Sequence, residues 1–422
     1  MSIVGIAAEY NPFHNGHLWH MEQSLRQGAR VIIALSGGFT QRGEPALLCK
    51  YARTEMALAG GASLVLEIPV RFACAGAEAF ARGAVGLFSA LGIVDSLCFG
   101  AENEDLDLLR PLAEIISEEP PAYKAALRRG LSMGQSFAGA RVDAVRESIP
   151  DFLISNLPVS DLPEDLAEIM SRPNNILALE YLSAINRYAR HIKPLAVKRK
   201  GAGHDAPEPV DGIASASYIR KLISEGADES QIRSFLPESA FDILNREKKR
   251  GLIGGDIDKY SPILHYILLS KNFKPPPSKN REFESILGKV AGILQNGPLA
   301  PISQIIEEAS GKRFTKARIR RTIMRHILNL GPESPGIPAY ARVLGFRRED
   351  KDILTKISQR AGLPLITNLK HASKLLKNYD KNWDKGQNES IQMLEEDLKA
   401  QALFWLGCGR GENEFSREMI II

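Results

Sequence analysis

The sequence predicts an α/β protein in which a Rossmann-like parallel sheet is followed by a mainly α-helical C-terminal region. Short apolar runs alternate with helical patterns through about the first 200 residues, an order typical of parallel sheets. The runs, such as that at 31–35, are apolar throughout, as expected for strands covered on both faces. Beyond residue 248 strand-like runs become rare, so we expect two regions, 1–248 and 249–422.

Size and composition indicate a soluble globular protein. The chain has 422 residues, of which 44% are hydrophobic and 25% charged, enough for two or three domains. We find no basic segment before an apolar leader and no apolar run of roughly 20 residues, so the sequence predicts no membrane partner. Four cysteines without metal spacing favour reduced thiols and a cytoplasmic location. The net charge of +4 does not by itself indicate a nucleic-acid partner, and we expect no DNA.

The strands and helices are predicted from the apolar runs and from the residues that interrupt them. The first strand, at 3–8, is broken by Asn11-Pro12, because proline has no N–H for a sheet. A helix at about 17–27 follows, and 104–170 reads as a helical insertion. The C-terminal pattern allows one small strand element near 340–346. The other strands are predicted at 31–35, 64–68, 97–100 and 194–197, and the other helices of the first region at 50–59, 75–91, 173–188 and, as helical segments, 228–248.

The turn after the first strand carries two histidines, His14 and His17, around Gly16. A strand, a tight turn and a helix start form an anion site, because unpaired N–H groups and the helix dipole point outward there. Two imidazoles can donate hydrogen bonds to one phosphate chain and stabilise charge as pyrophosphate leaves. Two ordinary loop histidines, or a zinc pair, are the alternatives. The strand before the turn and the helix after it favour a nucleotide.

Three later segments are further candidates for contact with a nucleotide. Gly100 ends the fourth strand, where either close backbone approach to a ligand or a plain turn explains a glycine. The cations at 198–200, followed by Gly201 and His204-Asp205, form either a polyphosphate site or a solvated loop. The segment at 213–220 offers Ser215 or Ser217 as a helix cap, with Arg220 at the same end. Either Asn174 or Asn175 can cap the helix that follows Pro173.

A basic segment in the C-terminal region is the candidate RNA-binding element. No acidic residue occurs between Ser310 and Pro332. On a helix Ile319, Ile323 and Ile327 share one face, and three arginines share the other, which suits RNA phosphates. A merely solvated face would look the same, and Arg320, nearer the apolar side, has no predicted role. The predicted RNA-binding residues are Lys312, Arg313, Lys316, Arg318, Arg321 and Arg325.

The motif His14-Asn15-Gly16-His17 resembles the His-x-Gly-His signature of the nucleotidyltransferase superfamily, whose members split ATP between its α and β phosphates. The longer string from Glu9 to His17 is similar to the tRNA(Met) cytidine acetate ligase family of bacteria. The segments 36–39, 41–45 and 173–177 match that family too. The superfamily's Ser-Ser-Thr-x-Ile-Arg element is Ser-Ala-Ser-Tyr-Ile-Arg here, so Arg220 and the backbone are the firmer part of that match.

The resemblance implies an ATP-dependent ligase that activates acetate as acetyl-adenylate. The acetyl group then passes to the wobble cytidine of elongator tRNA(Met), giving N(4)-acetylcytidine without acetyl-CoA. ATP is expected with Mg²⁺, although no carboxylate cluster marks a metal held by the protein. The residues expected to contact ATP are Ala7, Ala8, Glu9, Tyr10, Asn11, Pro12, Phe13, His14, Asn15, Gly16, His17, Leu18, Trp19, His20, Gly100, Asn174, Asn175, Arg199, Ser215, Ser217 and Arg220.

Within this scheme His14 and His17 are the expected catalytic residues, and Arg42 is a candidate for gripping the acetate carboxylate in a fork. Two other functions remain open from the residues. One is an adenylyltransferase that builds a cofactor on a small phosphorylated molecule. The other is a non-catalytic RNA-binding protein, against which the intact His14, Gly16 and His17 count.

Overall fold

The computed structural model describes residues 2–26, 29–156, 166–200, 208–210, 212–270, 281–296, 299–311, 313–332, 336–382 and 389–422. Eight strands in this part of the chain form one sheet: β1 (Ile3–Ala8), β2 (Arg30–Ser36), β3 (Leu64–Ile68), β4 (Ser96–Ala101), β5 (Lys193–Lys198), β6 (Ala341–Phe346), β7 (Leu365–Ile366) and β8 (Ile420–Ile421).

The first five strands are all parallel and lie in the order β5-β4-β1-β2-β3. This arrangement confirms the predicted Rossmann-like sheet, and each of the five predicted strands is present to within one residue at either end. Because β1 lies between β2 and β4, the chain adds β2 and β3 on one side of β1 and then β4 and β5 on the other side. In open parallel sheets a crevice forms at this point, outside the carboxyl ends of the strands.

Helices cover both faces of the sheet and make up most of the C-terminal region. Their bounds are α1 (Asn15–Leu25), α2 (Lys50–Ala59), α3 (Val70–Ala73), α4 (Ala77–Leu91), α5 (Leu106–Glu118), α6 (Pro121–Ser132), α7 (Phe137–Asn156), α8 (Leu166–Ser171), α9 (Pro173–Tyr188), α10 (Ala216–Ser224), α11 (Glu229–Arg233), α12 (Glu238–Lys249), α13 (Ser261–Leu269), α14 (Arg281–Asn296), α15 (Ile302–Ala309), α16 (Lys316–Ile327), α17 (Asp352–Arg360), α18 (Leu369–Asn382) and α19 (Glu389–Gly407). No helix in the described ranges is long and apolar enough to cross a bilayer.

Alternate residues of each strand enter two separate cores. In β2, Val31, Ile33 and Leu35 pack with α2, α10 and α12 to α16. Ile32 and Ala34 face the other way, into a core shared with α4, α5 and α9. This alternation explains why the strand is apolar throughout, since neither of its faces meets water. Helices α5 to α8 contribute to the second core and lie on that face of the sheet. That they form an insertion stays a prediction.

The sheet also takes strands from the C-terminal region. The strand element predicted near 340–346 is β6, which pairs antiparallel with β3 and thereby covers its edge. β7 and β8 then pair parallel to β6. The boundary predicted at 248 stays a prediction, but the sheet is built from residues on both sides of it.

Buried ions fasten β6 to the rest of the sheet. Lys50 Nζ lies 2.7 Å from both Glu67 Oε1 and Glu414 Oε1. Arg342 on β6 pairs with the same two carboxylates, at 3.0 and 2.7 Å. Burial would raise the pKa of Glu414, but the charges of Lys50 and Arg342 outweigh it and hold that pKa at about 2. Because a buried charge that loses its partner is costly, each of these four ions requires the two ions of opposite charge.

Asp397 on α19 is a second buried carboxyl beside this ion network. It accepts a hydrogen bond from the backbone N–H of Val70, at 2.6 Å, and one from the hydroxyl of Tyr340. Burial, followed by the charge of Glu67, raises the pKa of Asp397 to about 7. This carboxyl therefore titrates near neutral pH, unlike Glu414.

Candidate active site

A cavity of about 220 Å³ opens at the carboxyl edge of the sheet, between β1 and β4 and beside the loop after β2. The crevice expected at the point where the strand order reverses is therefore present. Its lining comes from four places: the turn after β1, the loop after β2, the β4–α9–β5 wall and the start of α10. The lining residues are Ile6, Ala7, Ala8, Glu9, Tyr10, Asn11, His14, Gly16, His17, Trp19, His20, Thr40, Gln41, Arg42, Glu44, Phe80, Phe99, Gly100, Pro173, Asn174, Leu177, Tyr181, Val197, Arg199, Lys200, Ile213, Ala214, Ser215, Ala216 and Arg220.

His14 and His17 stand at the start of α1, which begins two residues earlier than predicted because His14 caps it. Nδ1 of His14 accepts from the N–H of Gly16 at 3.0 Å, and Nδ1 of His17 accepts from the N–H of His14 at 3.3 Å. An Nδ1 that accepts a backbone N–H carries no proton, so in each neutral ring Nε2 is the donor nitrogen. The two rings stack with their centroids 3.7 Å apart.

Gly16 is required by the same turn. A Cβ at this position would lie 2.9 Å from Cε1 of His14, closer than a real side chain comes. Position 16 must therefore lack a side chain if the His14 ring is to cap the helix.

Arg220 joins the two candidate nucleotide elements. Its Nη1 donates to the carbonyl oxygen of Asn11 at 2.9 Å, although the two residues are 209 positions apart. Ser215 caps α10 by accepting from the N–H of Tyr218 at 3.2 Å, as one of the two predicted cap residues. Ser217 lies 3.0 Å from Ser215, oxygen to oxygen, and does not line the cavity among the described residues.

The opposite wall is a network around Glu102. The Nδ2 of Asn174 donates to Glu102, and its Oδ1 accepts from Nη1 of Arg199 at 2.6 Å. Asn175 is buried behind the wall, where its Oδ1 accepts from the N–H groups of Glu102 and Asn103. Neither asparagine caps α9, whose cap residue is Arg172. Of the two, Asn174 is the one that faces the cavity.

Gly100 and His20 lie near this wall. A Cβ on Gly100 would meet Cγ of Arg199 at 3.1 Å, so the glycine leaves room for that arginine. His20 Nε2 lies 3.2 Å from Sγ of Cys98. Burial, followed by the charge of Arg199, lowers the pKa of His20 to about 4. The His20 ring is therefore neutral at neutral pH and adds no charge to the cavity.

The turn after β1 and the loop after β2 together bring two carboxylates and one cation to the cavity. Glu9 Oε1 accepts from the N–H of Gln41 at 2.6 Å, and burial raises the pKa of the Glu9 carboxyl against the effect of that bond. Arg42 lies on the loop after β2 and lines the cavity. Glu44 Oε2 lies 2.9 Å from Nη2 of Arg220.

Helix α16 packs against this loop, a contact that sequence reasoning missed. Arg320 Nε donates to the carbonyl oxygen of Arg42 at 3.1 Å, and Arg320 Nη1 lies 2.7 Å from Glu44 Oε1. Arg321 Nη1 donates to the carbonyl oxygen of Gln41 at 3.3 Å. Gly43 has φ of 76°, and a Cβ there would lie 2.5 Å from Cα of Arg321. The helix from the C-terminal region thus forms part of the frame of the cavity.

Arg53 is a second residue that sequence reasoning missed. It is fully buried and donates to the carbonyl oxygens of Leu48 at 3.0 Å, Glu9 at 2.5 Å and Gly37. A single guanidinium therefore holds the ends of β1 and β2 together. Burial lowers the pKa of Arg53 to about 10, which leaves the group charged at neutral pH. Nothing in the local sequence distinguishes this arginine from a surface residue of α2.

Some residues expected to contact ATP lie elsewhere. Phe13 is fully buried and packs against Gly60, and Leu18 packs against the core. Asn15 Nδ2 donates to the carbonyl oxygen of Ser234 at 3.0 Å. The predicted ATP contacts that are absent from the cavity lining are Pro12, Phe13, Asn15, Leu18, Asn175 and Ser217.

The basic segment is only partly the exposed arginine face that the sequence predicted. Arg313 and Lys316 are exposed, and Arg318 is half-buried beside Glu282, with 2.8 Å between Nη1 and Oε1. The prediction is wrong for Arg325, which is 3% exposed and donates to the carbonyl oxygens of Arg71, Cys74 and Gly331. Arg71 lies in the short helix α3 and Cys74 is its C-cap, so their carbonyl oxygens belong to a helix end, where no intrahelical N–H reaches them, and Arg325 satisfies them.

Two groups of predicted residues lie outside the described ranges. They are Lys312 of the basic segment, and Gly201, His204 and Asp205 of the candidate polyphosphate loop. Lys200, the last described cation of that loop, lines the cavity.

The described residues hold no group of three or more histidine, cysteine, aspartate or glutamate side chains that suits a metal ion. The cavity itself offers two carboxylates, Glu9 and Glu44, and both lie on its β2 side. These residues do not form a cage for Mg²⁺, so a magnesium ion that accompanies ATP would be held by the phosphates, as is usual for this ion.

Comparison with known proteins gives a consistent result. Residues 1–416 match the family model described as HIGH nucleotidyl transferase. The tRNA(Met) cytidine acetate ligase of Halothermothrix orenii is 36% identical over 412 residues, which are 96% of this chain and 93% of that protein. The enzyme of the same name from Acetivibrio thermocellus is 33% identical over 435 residues, covering 100% of both chains.

Two solved structures resemble the whole chain. The apo form I crystal structure of Thermotoga maritima TmcAL superimposes with a TM-score of 0.88 at 30% sequence identity, covering 100% of both chains. The form II structure of the same protein, bound with alpha-thio ATP, gives a TM-score of 0.83 at 29% identity, again over 100% of both chains.

Proposed function

The chain belongs to the tRNA(Met) cytidine acetate ligase family, and we propose on this basis that it is an ATP-dependent ligase that modifies tRNA. In the proposed reaction acetate attacks the α phosphorus of ATP, forming acetyl-adenylate and releasing pyrophosphate. The wobble cytidine of elongator tRNA(Met) then takes the acetyl group and becomes N(4)-acetylcytidine, while AMP leaves. Reduced cysteines and a tRNA substrate favour the cytoplasm as the place of action.

The observation that carries this proposal is the hydrogen bond from Arg220 to Asn11. It joins the turn before α1 to α10, and the first residues of both helices line the same cavity, so that two helix N-termini and one guanidinium face one space. A polyphosphate chain bound there would meet donors from both sides. A protein that binds RNA without using ATP would have no need for this convergence.

The two histidines supply the charge stabilisation. Because both Nδ1 atoms accept backbone N–H groups, both rings are fixed with Nε2 as the donor nitrogen. Donors that are oriented before the reaction stabilise the charge that develops on departing pyrophosphate without reorganising. Arg199, held by Asn174, supports the same charge from the β5 side.

The nucleoside is assigned to the opposite wall. Phe99 and Tyr181 place their ring centroids 5.6 Å apart beside Gly100, and Leu177 lies on the same side of the cavity. Aromatic and aliphatic side chains of this kind suit the faces of an adenine ring. The α phosphate would then lie between this wall and the histidines, above the end of β1.

Acetate is assigned to the β2 side, where Arg42 is the candidate for its carboxylate. A guanidinium can donate a hydrogen bond to each carboxylate oxygen. Either oxygen then keeps a lone pair with which it can approach phosphorus in line. Mg²⁺ would enter with ATP, bound to the phosphates. The exposed cations of the basic segment, Arg313 and Lys316, are the candidates for contact with tRNA phosphates.

The test supplies purified protein with ATP and labelled acetate, with and without tRNA(Met). We expect acetate-dependent exchange of pyrophosphate into ATP without tRNA, and label in the wobble cytidine when tRNA is present. ATP should be converted to AMP and pyrophosphate. Acetylation from acetyl-CoA without ATP, or conversion of ATP to ADP, would overturn the proposal. Label in a small phosphorylated acceptor would favour a cofactor-building adenylyltransferase instead.

A further inference from the structure

The second half of the proposed reaction needs an acceptor for a proton. The exocyclic nitrogen of cytidine forms a bond to the acetyl carbon, the bond from that carbon to the phosphate oxygen breaks, and AMP leaves with the electron pair. The nitrogen must also lose one of its two protons. Resting on the proposed function, we propose that the carboxylate of Glu9 is the general base that takes this proton.

Two carboxylates line the described cavity, and they differ in what they contact. Glu44 is shared by two arginines, with Oε2 2.9 Å from Arg220 and Oε1 2.7 Å from Arg320. Glu9 instead uses Oε1 alone, as acceptor for the N–H of Gln41. For Oε2 of Glu9 the described residues provide neither a hydrogen-bond donor nor an ion pair. Glu9 therefore keeps one carboxylate oxygen available for a proton, and Glu44 does not.

The position of Glu9 suits an acceptor from RNA. Its carboxylate is held by the backbone of Gln41, whose carbonyl oxygen in turn accepts from Arg321 on α16. The phosphate-binding histidines lie on the α1 side of the cavity, and the Gly100 wall lies on the β4 side. A cytidine that enters along α16 therefore reaches the Glu9 side of the cavity first.

The anchoring of Glu9 favours a fixed position for this base. Nη1 of Arg53 donates to the Glu9 carbonyl oxygen at 2.5 Å. The same guanidinium also donates hydrogen bonds to Leu48, Ser36 and Gly37. The guanidinium thus holds the backbone of Glu9 without neutralising its carboxylate through a direct ion pair. A base that is held in this way needs no reorganisation when the amine approaches.

The proton affinity of Glu9 agrees with the assignment. Burial raises the pKa of its carboxyl above the ordinary glutamate value. The charged and titratable groups that face it are Glu44 from the loop after β2, Arg220 from α10, Arg53 from α2, Tyr181 from α9 and Cys74 after α3. Glu44 opposes the charge of Glu9, while the two arginines favour it. A base of raised pKa holds a proton better than an exposed carboxylate does.

The test is the variant Glu9→Gln, whose amide oxygen can still accept from Gln41 but whose side chain cannot take a proton. Two rates are measured in each protein: acetate-dependent ATP–pyrophosphate exchange, and single-turnover acetyl transfer to tRNA(Met). Because general bases typically contribute 10²–10⁴-fold, we expect the ratio of transfer to exchange to fall by about 10² or more. Hydroxylamine, a nucleophile that is neutral near pH 7, can trap the acetyl-adenylate. In Glu9→Gln the rate of this trapping should fall much less than the rate of transfer to tRNA.

The matched control is Glu55→Gln, which changes a carboxylate that pairs with Arg246 at the surface, outside the cavity lining, and should leave both rates unchanged. Equal loss of both rates in Glu9→Gln, or no loss in either, would overturn the base assignment. If the wild-type protein itself fails to make acetyl-adenylate or acetylcytidine, it is the proposed function that fails.

The pH dependence of the wild-type protein gives a second readout that does not depend on the folding of a variant. As pH falls, Glu9 becomes protonated and can no longer act as a base, so the ratio of transfer to exchange should fall. A ratio that stays constant down to the lowest pH at which the protein is folded would contradict the proposal. A folded Glu9→Gln protein should lack this slope.

Discussion

Nη1 of Arg320 lies 2.7 Å from Oε1 of Glu44, and this ion pair ties a helix of the C-terminal region to the loop beside the cavity. The second oxygen of Glu44 holds Arg220, at the start of α10. One carboxylate therefore links the basic helix to an arginine that faces the candidate phosphate site. Under the proposed function, this link would give the candidate RNA-binding helix and the candidate phosphate site a shared residue.

The first prediction concerns Glu44. Bound phosphate and Glu44 compete for Arg220, so Glu44→Gln should tighten the binding of ATP. A partly exposed ion pair is worth about 1 kcal/mol, which corresponds to about fivefold in the dissociation constant. Titration calorimetry with ATP measures this, with Glu55→Gln as the control, because Glu55 pairs with Arg246 at the surface. Weaker ATP binding would show that Glu44 holds Arg220 in its productive position.

The second prediction concerns His17. His17→Ala should keep the fold and lower acetate-dependent ATP–pyrophosphate exchange, because it removes an oriented donor at the start of α1. Loss of such a donor typically costs about 10²–10³ in rate. His191→Ala, at an exposed histidine, is the matched control. Exchange at the wild-type rate in a folded His17→Ala protein would refute the role.

The third prediction concerns the exposed cations of the basic segment. The double variant Arg313→Glu, Lys316→Glu should weaken tRNA binding and flatten its salt dependence by about one unit of log–log slope per lost phosphate contact. Exchange without tRNA should continue at the wild-type rate. Lys356→Glu with Lys399→Glu, on α17 and α19, is the control pair. Unchanged affinity and slope would show that Arg313 and Lys316 are merely solvated.

Arg318 and Arg321 behave differently in this scheme. Arg321→Glu would place a carboxylate beside the carbonyl oxygen of Gln41, the residue whose N–H holds Glu9. We therefore expect it to lower exchange as well as tRNA binding, so it cannot serve as a clean test of RNA contact. Arg318 lies beside Glu282. Its substitution therefore tests RNA contact less cleanly than that of Arg313 or Lys316, and more cleanly than that of Arg321.

The fourth prediction concerns pH and stability. The pKa of Asp397 is about 7 in the folded protein, whereas an unfolded aspartate has a pKa of about 3.9. Between these values the folded state binds more protons than the unfolded state, so the free energy of unfolding falls as pH rises from about 4 to 7. Asp397→Asn removes this contribution, and its melting temperature relative to wild type should rise over the same range. Asp242→Asn, at an exposed aspartate, should track the wild type. An Asp397→Asn curve parallel to that of the wild type would contradict the assignment.

The sequence predicted the parallel sheet well because each strand carries its own signal. Val31 to Leu35 are apolar on both faces, and β3 spans 64–68 as predicted. The turn with His14 and His17 was found for the same reason, since strand, turn and helix lie within some 25 residues. Local patterns of this kind do not depend on the rest of the fold.

The remaining features depend on pairs of residues that are far apart in the chain. Arg325 was expected on an exposed face, because helical spacing shows which residues share a side but not what covers that side. Arg320 and Arg53 were missed for a related reason: their partners are carbonyl oxygens and carboxylates on other loops. Polar contacts between distant segments produce no periodic pattern of residues in the sequence.

The antiparallel strand β6 has a consequence for synthesis of the protein in the cell. Its Arg342 meets Glu67 of β3 across 275 positions, and Tyr51 meets Glu414 across 363. While the ribosome is still adding the intervening helices, β3 has an open edge and Lys50 and Glu67 lack two of their partners. Open edges of this kind invite pairing with other chains. The edge of β3 can therefore be covered only after residues 341–346 have been synthesised.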